Sequence, residues 1–173
     1  MKAIFHADKY WGIGKQNDLM FSLPKDMKFF RDTTKGKVVV MGLNTLHSFP
    51  NGKPLKNRIN IVLSPDTVKE DVITVHNLEE LFSEIEKYDP NDVYVIGGAS
   101  VYRTLIPYCS EVLVTKVDAD GEAEVFVPDL DKDENFQLIY ESEPQNDNGY
   151  MIRFCTYRNV TLNNDSAKVQ EDI

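Results

Sequence analysis

Two apolar runs that each end in glycine constrain the fold of this chain more than any other feature. Val38–Met41 runs into Gly42, and Val93–Ile96 runs into Gly97 and Gly98. Runs that are apolar at nearly every position suit the central strands of a parallel sheet, because helices cover both faces of such a sheet. Parallel neighbours also need long crossover connections, and helical segments separate these two runs. The sequence therefore predicts an α/β fold.

The rest of the chain fits the same fold class. Helices are predicted after Pro24, Asn44 and Asn77 and near Gly98. The last two strand candidates are joined by residues 142–149, which are rich in Pro, Asn, Asp and Gly as hairpin loops are. We therefore expect a mostly parallel central sheet of about eight strands, with flanking helices and a C-terminal antiparallel edge hairpin. The strand candidates are Lys2–Ala7, Lys37–Met41, Arg58–Leu63, Val72–Val75, Asp92–Ile96, Glu111–Val117, Gln137–Glu141 and Tyr150–Tyr157.

Length and composition predict one domain. The chain has 173 residues, of which 42% are hydrophobic, enough for one ordinary core. We expect residues 1–158 to form this domain and the polar residues 159–173 to be a flexible tail. No long apolar run predicts a membrane span, and the start of the chain is too short and polar for a signal peptide. The sequence therefore predicts a cytoplasmic protein.

The net charge argues against nucleic-acid binding, and the spacing of the cysteines and histidines argues against a metal site. The net charge of −9 argues against a nucleic-acid partner, because phosphate binding needs a basic face. Cys109 and Cys155 are too few for a disulfide framework, and neither they nor the three histidines have metal-ligand spacing. A small anionic ligand stays possible, since a few local cations can dominate a pocket.

One carboxylate stands out because it shares a helix face with large apolar side chains. Leu23, Asp26, Met27 and Phe30 have the spacing of one stripe on a helix. Burying an unpaired charge is costly, so an acid at this position must be neutralised, paired or placed to receive a ligand. The alternative is that Asp26 binds free amides at the start of the helix, and Pro24 in the first turn is compatible with that reading.

Both glycine turns are candidate phosphate sites. Ligands of open α/β sheets bind at the carboxyl ends of strands, and Gly97 and Gly98 would let backbone approach a ligand there. Gly42 and Thr45 repeat the arrangement, so an extended dinucleotide between the two strand ends is predicted. Simple packing of a tight strand–helix turn is the alternative for both turns.

Two further segments carry candidate functional groups. Residues 11–17 form a glycine-bearing loop after the first strand, long enough for a lid, although an ordinary surface loop has the same pattern. Arg58 opens an apolar strand, where its guanidinium would hold a substrate carboxylate in a bidentate pair. A solvated charge at a strand start is the alternative.

Together these segments resemble the dihydrofolate reductase family. The resemblance covers residues 1–158 and rests on motifs in a fixed order and spacing. They are Trp11-Gly12-Ile13-Gly14, Leu23–Met27 with Phe29-Phe30, Val40–Gly42 with Thr45, Pro54-Leu55 with Arg58, Ile96–Gly98 with Val101-Tyr102, and Thr115 with Asp118.

The resemblance implies NADPH-dependent reduction of 7,8-dihydrofolate to 5,6,7,8-tetrahydrofolate, with NADH a poorer donor. Hydride would pass from C4 of the nicotinamide to C6 of the pterin. Asp26, with Thr115 as its partner, would hydrogen-bond the 2-amino group and N3 of the pterin and promote protonation at N5. Arg58 would hold the α-carboxylate of the glutamate tail, and residues 12–20 would form a mobile loop that closes over the nicotinamide.

The resemblance also implies the binding residues. The substrate would contact Ile4, Phe5, Met27, Phe30, Phe49, Leu55, Arg58, Ile96 and Tyr102. The cofactor would contact His6, Ile13, Gly14, Gly42, Leu43, Asn44, Thr45, Leu63, Ser64, Gly97, Gly98, Ala99, Ser100 and Val101.

Several positions depart from the common pattern of this family, among them Met20, Ala99 and Ser100, and three more bear directly on the site. Leu43 stands where many members carry an arginine for the nucleotide phosphates, which bears on the preference for NADPH over NADH. Phe21 stands where many members have tryptophan. His6 occupies a first-strand position that is usually alanine, so its imidazole must point away from the site or reshape it.

Two rival functions remain open from the sequence. A pyrimidine reductase of riboflavin synthesis shares the fold and the nicotinamide chemistry but reduces a ribosyl sugar; Asp26 and Arg58 favour folate over that substrate. A catalytically silent folate- or nucleotide-binding module would bind the same ligands without consuming reduced cofactor. In each case the expected partner is a small molecule, and a monomer is expected.

Overall fold

The computed structural model of this chain describes residues 1–16, 18–68 and 71–162 and contains eleven strands over that part. Nine of the eleven form the central sheet, and β2 and β8 form a separate pair. The strands are Lys2–Ala7 (β1), Gly12–Gly14 (β2), Val38–Gly42 (β3), Ile59–Leu63 (β4), Ile73–Val75 (β5), Val93–Gly97 (β6), Glu111–Val117 (β7), Val125–Phe126 (β8), Phe136–Glu141 (β9), Gln145–Asp147 (β10) and Tyr150–Asn159 (β11).

Four α-helices accompany the strands in the described part of the chain. They are Pro24–Thr34 (α1), Leu43–Ser48 (α2), Leu78–Ile85 (α3) and Ala99–Leu105 (α4). Asn77 caps α3 as its sequence predicts, because its side-chain oxygen accepts the amide of Glu80 over 2.9 Å. None of the helices in these ranges combines the length and the apolar character needed to cross a membrane.

The central sheet is mostly parallel, as predicted. Its order is β10-β11-β7-β1-β6-β3-β4-β5, with β9 also paired to β11. The pairs from β7 across to β5 are all parallel, whereas β11 runs antiparallel to β7, β9 and β10. The antiparallel C-terminal edge is therefore confirmed together with the α/β class.

The strand runs that are apolar throughout lie in the middle of the sheet. Val39, Val40, Val93 and Val95 are almost completely inaccessible to solvent, because α-helices and loops cover both faces. Register pairs Met41 at the end of β3 with Gly97 at the end of β6. The two glycine turns therefore lie side by side at the carboxyl ends of these two parallel strands.

The sequence pattern does not predict three short strands, and the last strand extends further than predicted. Gly12–Gly14 pairs with Val125–Phe126, and Gln145–Asp147 lies within the segment predicted as a hairpin loop. Asn159 belongs to β11 and not to a tail: it is 1% exposed, and its Nδ2 donates to the carbonyl of Pro107 over 3.1 Å. Residues 163–173 of the predicted tail lie outside the described residues.

Candidate active site

Asp26 is a buried acid that receives a hydrogen bond from the neighbouring strand. It lies in the first turn of α1, and the residue is 9% exposed. Thr115 Oγ1, from β7, donates to Asp26 Oδ1 over 2.6 Å. The predicted partnership of Asp26 and Thr115 is thus present, although the two residues are far apart in sequence.

A second acid, Asp147, binds the free amides at the start of α1. This is the role that the alternative interpretation gives to Asp26. No side chain adjacent to α1 in sequence caps this helix. Instead, Asp147 on β10 accepts the amides of Lys25 and Asp26 through its two carboxylate oxygens, each over 3.1 Å. Because these amides are satisfied from another strand, the Asp26 side chain does not cap its own helix and can accept the hydrogen bond from Thr115.

His6 turns toward the acid and not away from it. Its Nδ1 lies 3.2 Å from Asp26 Oδ2, and its Nε2 is buried with no hydrogen-bond partner among the described residues. The family resemblance implies His6 only as a cofactor contact, and no local signal in the sequence marks its pairing with Asp26. The pairing arises because β1 lies beside β7 and His6 is in register with Thr115.

The apolar side chains that helical spacing places on one face at the start of α1 differ in their exposure to solvent. Leu23 is buried, and Phe29 packs its ring on Phe154 with centroids 4.8 Å apart. Met27, by contrast, is 50% exposed, and Phe30 is half-buried. Phe29 therefore packs α1 on the sheet, whereas Phe30 lies beside Arg58 and Met27 is exposed.

Arg58 is half-buried near this second side of α1. Its Nε donates to Thr34 Oγ1 and its Nη1 to the carbonyl of Lys56, each over 3.0 Å, and its guanidinium carbon lies 6.0 Å from the ring centre of Phe30. Burial, followed by the nearby charge of Arg31, lowers the pKa of Arg58 from its usual value. No carboxylate among the described residues forms an ion pair with this cation.

The remaining predicted substrate residues form two groups. Tyr102 is buried in α4, its hydroxyl donates to the carbonyl of Ile4 over 2.8 Å, and its ring lies 4.9 Å from that of Phe5. Phe49, Leu55 and Ile96 are partly buried against one core cluster, which they share with the predicted cofactor residue Leu43. The structure thus brings each group together, one at the end of β1 and one beside β3 and β4.

The two glycine turns form a close backbone cradle. A Cβ added at Gly97 would lie 3.2 Å from Thr45 Oγ1, and one added at Gly42 would lie 3.1 Å from Val101 Cγ2. Gly97 also has φ +134, a conformation that side chains rarely adopt. A side chain at Gly97 would therefore press on Thr45, and one at Gly42 would press on Val101 in the first turn of α4.

Several other predicted cofactor residues lie on the elements that form this cradle or next to them. Asn44, Ala99 and Ser100 lie in the first turns of α2 and α4, and Leu63 ends β4. Ser64 is buried, and its hydroxyl accepts the amide of Asp66 over 3.3 Å within the local turn. Because that bond leaves the hydroxyl proton free to donate, a cofactor contact by Ser64 stays a prediction.

The segment predicted as a lid is anchored at its start. Gly12–Gly14, which includes the predicted cofactor residues Ile13 and Gly14, pairs with Val125–Phe126, and Asp8 Oδ1 accepts the amide of Gly12 over 2.8 Å. Trp11 is buried against Tyr157 with ring centroids 5.8 Å apart. Lid motion of this segment stays a prediction.

Comparisons with known proteins agree on one family. The family model described as dihydrofolate reductase matches residues 1–159. Dihydrofolate reductase of Bacillus subtilis is 34% identical over 158 residues, covering 89% of this chain and 91% of that protein. The enzyme of Enterococcus faecium is 32% identical over 165 residues, covering 92% of this chain and 96% of its own length.

A solved structure agrees in fold as well as in sequence. Dihydrofolate reductase from Enterococcus faecalis, complexed with NADP(H) and RAB-propyl, superposes with a TM-score of 0.79. The two chains are 32% identical, and the match covers 91% of this chain and 94% of that one.

Proposed function

This chain belongs to the dihydrofolate reductase family, and we propose that its own residues carry out NADPH-dependent reduction of 7,8-dihydrofolate in the following way. Asp26 is the acid that faces the pterin. Arg58 binds the anionic tail of the substrate, and the cradle at the ends of β3 and β6 binds the pyrophosphate of the cofactor. The observation that carries the proposal is the buried carboxyl of Asp26, held by Thr115 and freed from helix capping by Asp147.

The surroundings of Asp26 support its role as a binding and proton-delivering group. Thr115 takes one lone pair of Oδ1, and His6 Nδ1 lies 3.2 Å from Oδ2, so each carboxylate oxygen keeps a lone pair for a ligand. A carboxylate can accept two N–H bonds from an amidine-like edge, such as the 2-amino group and N3 of a pterin. A proton held at this site is then available for N5, either directly or through a water.

The cradle supports binding of the cofactor through backbone groups. Gly97 and Gly98 lack side chains beside Thr45, which leaves their backbone open to a pyrophosphate, with Gly42, Asn44 and Thr45 on the opposite side. When bound, NADPH supplies a hydride to C6 of the pterin. The chain contributes by holding the two rings in contact and by excluding water from the cleft.

Arg58 supports recognition of the α-carboxylate in the tail of dihydrofolate. It is the cation next to Phe30, its Nε and Nη1 are fixed by Thr34 and Lys56, and no acid of the described residues neutralises it. A guanidinium fixed in this way binds a carboxylate with little further loss of conformational freedom.

The steady-state rate with dihydrofolate, measured with NADPH and with NADH side by side, tests the proposal. We expect rapid, dihydrofolate-dependent loss of reduced-cofactor absorbance, faster with NADPH. The pyrimidine substrate of riboflavin synthesis should not support turnover. Quenching of Trp11 fluorescence by both ligands without any oxidation of NADPH would instead indicate a silent binding module. Sedimentation would test the expected monomer, and cell fractionation the expected cytoplasmic location.

A further inference from the structure

His6 is a buried titratable side chain that the proposed reaction does not use. The residue is 8% exposed, and its Nδ1 lies 3.2 Å from Asp26 Oδ2. Its Nε2 is buried and has no hydrogen-bond partner in the described part of the chain. A buried nitrogen without a partner costs stability, so packing alone would favour an apolar residue here.

The contact is built by the register of the sheet. His6 on β1 pairs with Thr115 on β7 in a parallel ladder, and residues paired in this way project from the same face. Thr115 reaches Asp26 Oδ1, and His6 reaches Oδ2. Two adjacent strands thus each place one polar group on one oxygen of the same carboxyl.

The other polar and ionisable groups near this pair are already engaged. Asp147 on β10 accepts the amides of Lys25 and Asp26, and the hydroxyl of Tyr102 on α4 donates to Ile4. The ring of Phe21 faces His6 at 6.1 Å between centroids. Within the described ranges no lysine or arginine forms an ion pair with Asp26, so His6 is its one titratable partner.

We propose that His6 is a positioning residue for the reaction: its Nδ1–H holds Oδ2 of Asp26, favours the carboxylate and, together with Thr115, fixes the plane of the carboxyl group. This inference rests on the proposed role of Asp26. A hydrogen bond to the charged form of an acid stabilises that form, so loss of the His6 donor makes Asp26 take up its proton at a higher pH.

Two substitutions separate the effect of losing the hydrogen-bond donor from the effect of losing the side chain. His6→Ala removes the donor, whereas His6→Asn places an amide nitrogen close to the position of Nδ1 and does not titrate. We expect His6→Ala to move the high-pH limb of kcat/KM upward by about one pH unit, the size expected for loss of a charge-assisted hydrogen bond. His6→Asn should restore the wild-type midpoint. An unchanged midpoint in His6→Ala, or one displaced to lower pH, overturns the proposal.

A second measurement needs neither substrate nor a stable variant at position 6. The chain has three histidines, so the ring nitrogens of His6 can be assigned by 15N NMR in the wild-type protein. We expect a proton on Nδ1 of His6 at neutral pH and a changed Nδ1 shift in Asp26→Asn. An unprotonated Nδ1 overturns the proposal. If the protein lacks reductase activity but Nδ1 carries this proton, the proposed function fails while the His6–Asp26 contact stands.

Discussion

Thr115 Oγ1 donates a hydrogen bond of 2.6 Å to Asp26 Oδ1, and the two residues are separated by 89 positions in the chain. Both side chains are buried, so the bond is protected from competing water. Asp26 comes from the first turn of α1 and Thr115 from the middle of β7. The relationship fixes the position of this carboxyl group, and His6 is the titratable side chain of the described residues that contacts it.

The first prediction concerns this bond. Thr115→Val keeps the shape of the side chain and removes the hydroxyl, so Asp26 loses a charge-assisted hydrogen bond. We expect kcat/KM for dihydrofolate to fall by about tenfold or more. Steady-state kinetics measures the change. Thr115→Ser, which keeps the hydroxyl, is the matched control and should retain most activity; equal losses in both variants would assign the effect to packing.

The second prediction concerns the cation beside Phe30. Arg58→Leu removes the guanidinium that Thr34 and Lys56 hold in place. We expect the KM for dihydrofolate to rise by at least about tenfold, while the KM for NADPH changes little. Arg158→Leu, an exposed arginine on β11, is the control. An unchanged KM for dihydrofolate in Arg58→Leu would remove Arg58 from the substrate site.

The third prediction concerns cofactor preference. Leu43, at the first position of α2, contributes no charge to the predicted phosphate site. Leu43→Arg adds a charge-assisted contact to phosphate, so we expect the KM for NADPH to fall by about tenfold and that for NADH to change less. Leu43→Gln has comparable polarity without charge and should have little effect. Equal improvement for both cofactors would place residue 43 away from the additional phosphate of NADPH.

The fourth prediction concerns the anchored start of the predicted lid. A methyl group added at Gly12 would collide with the Cβ of Ala123 and lie 3.0 Å from Asp8 Oδ1. We therefore expect Gly12→Ala to lower the free energy of unfolding by about 1–3 kcal/mol, as overpacking typically does. Urea denaturation measures this. The double variant with Ala123→Gly should recover much of the loss, and a double variant as unstable as Gly12→Ala would contradict the assigned collision.

The fold was predictable where sequence pattern and burial coincide. Val38–Met41 and Val93–Ile96 are apolar throughout because they are covered on both faces of the sheet. Gly12–Gly14, Val125–Phe126 and Gln145–Asp147 have no such pattern. They are strands only because distant backbone pairs with them, a cause that no local window of sequence contains.

The sequence predicts individual residues of the candidate site better than the contacts between them. Spacing marked Asp26, and resemblance to a family supplied Thr115 as its partner. The contact of His6 with Asp26 depends on strand register, and the capping by Asp147 depends on how β10 meets α1. Helical spacing places Met27 on one face with the buried Leu23, whereas the Met27 side chain is exposed.

The fifth prediction tests the central claim, that the buried carboxyl of Asp26 is the acid of the reaction. Asp26→Asn keeps the size of the side chain and an oxygen for Thr115 but cannot hold or deliver a carboxyl proton. The control is Asp32→Asn, an exposed acid on the same helix that should retain wild-type activity. Thermal unfolding and NADPH binding should show that both variants remain folded.

The deciding measurement is kcat for dihydrofolate reduction by Asp26→Asn with saturating NADPH near neutral pH. We predict a fall of about 100-fold or more relative to the wild type, the range expected for loss of a general acid. A folded Asp26→Asn protein that turns over dihydrofolate at close to the wild-type rate would contradict the account.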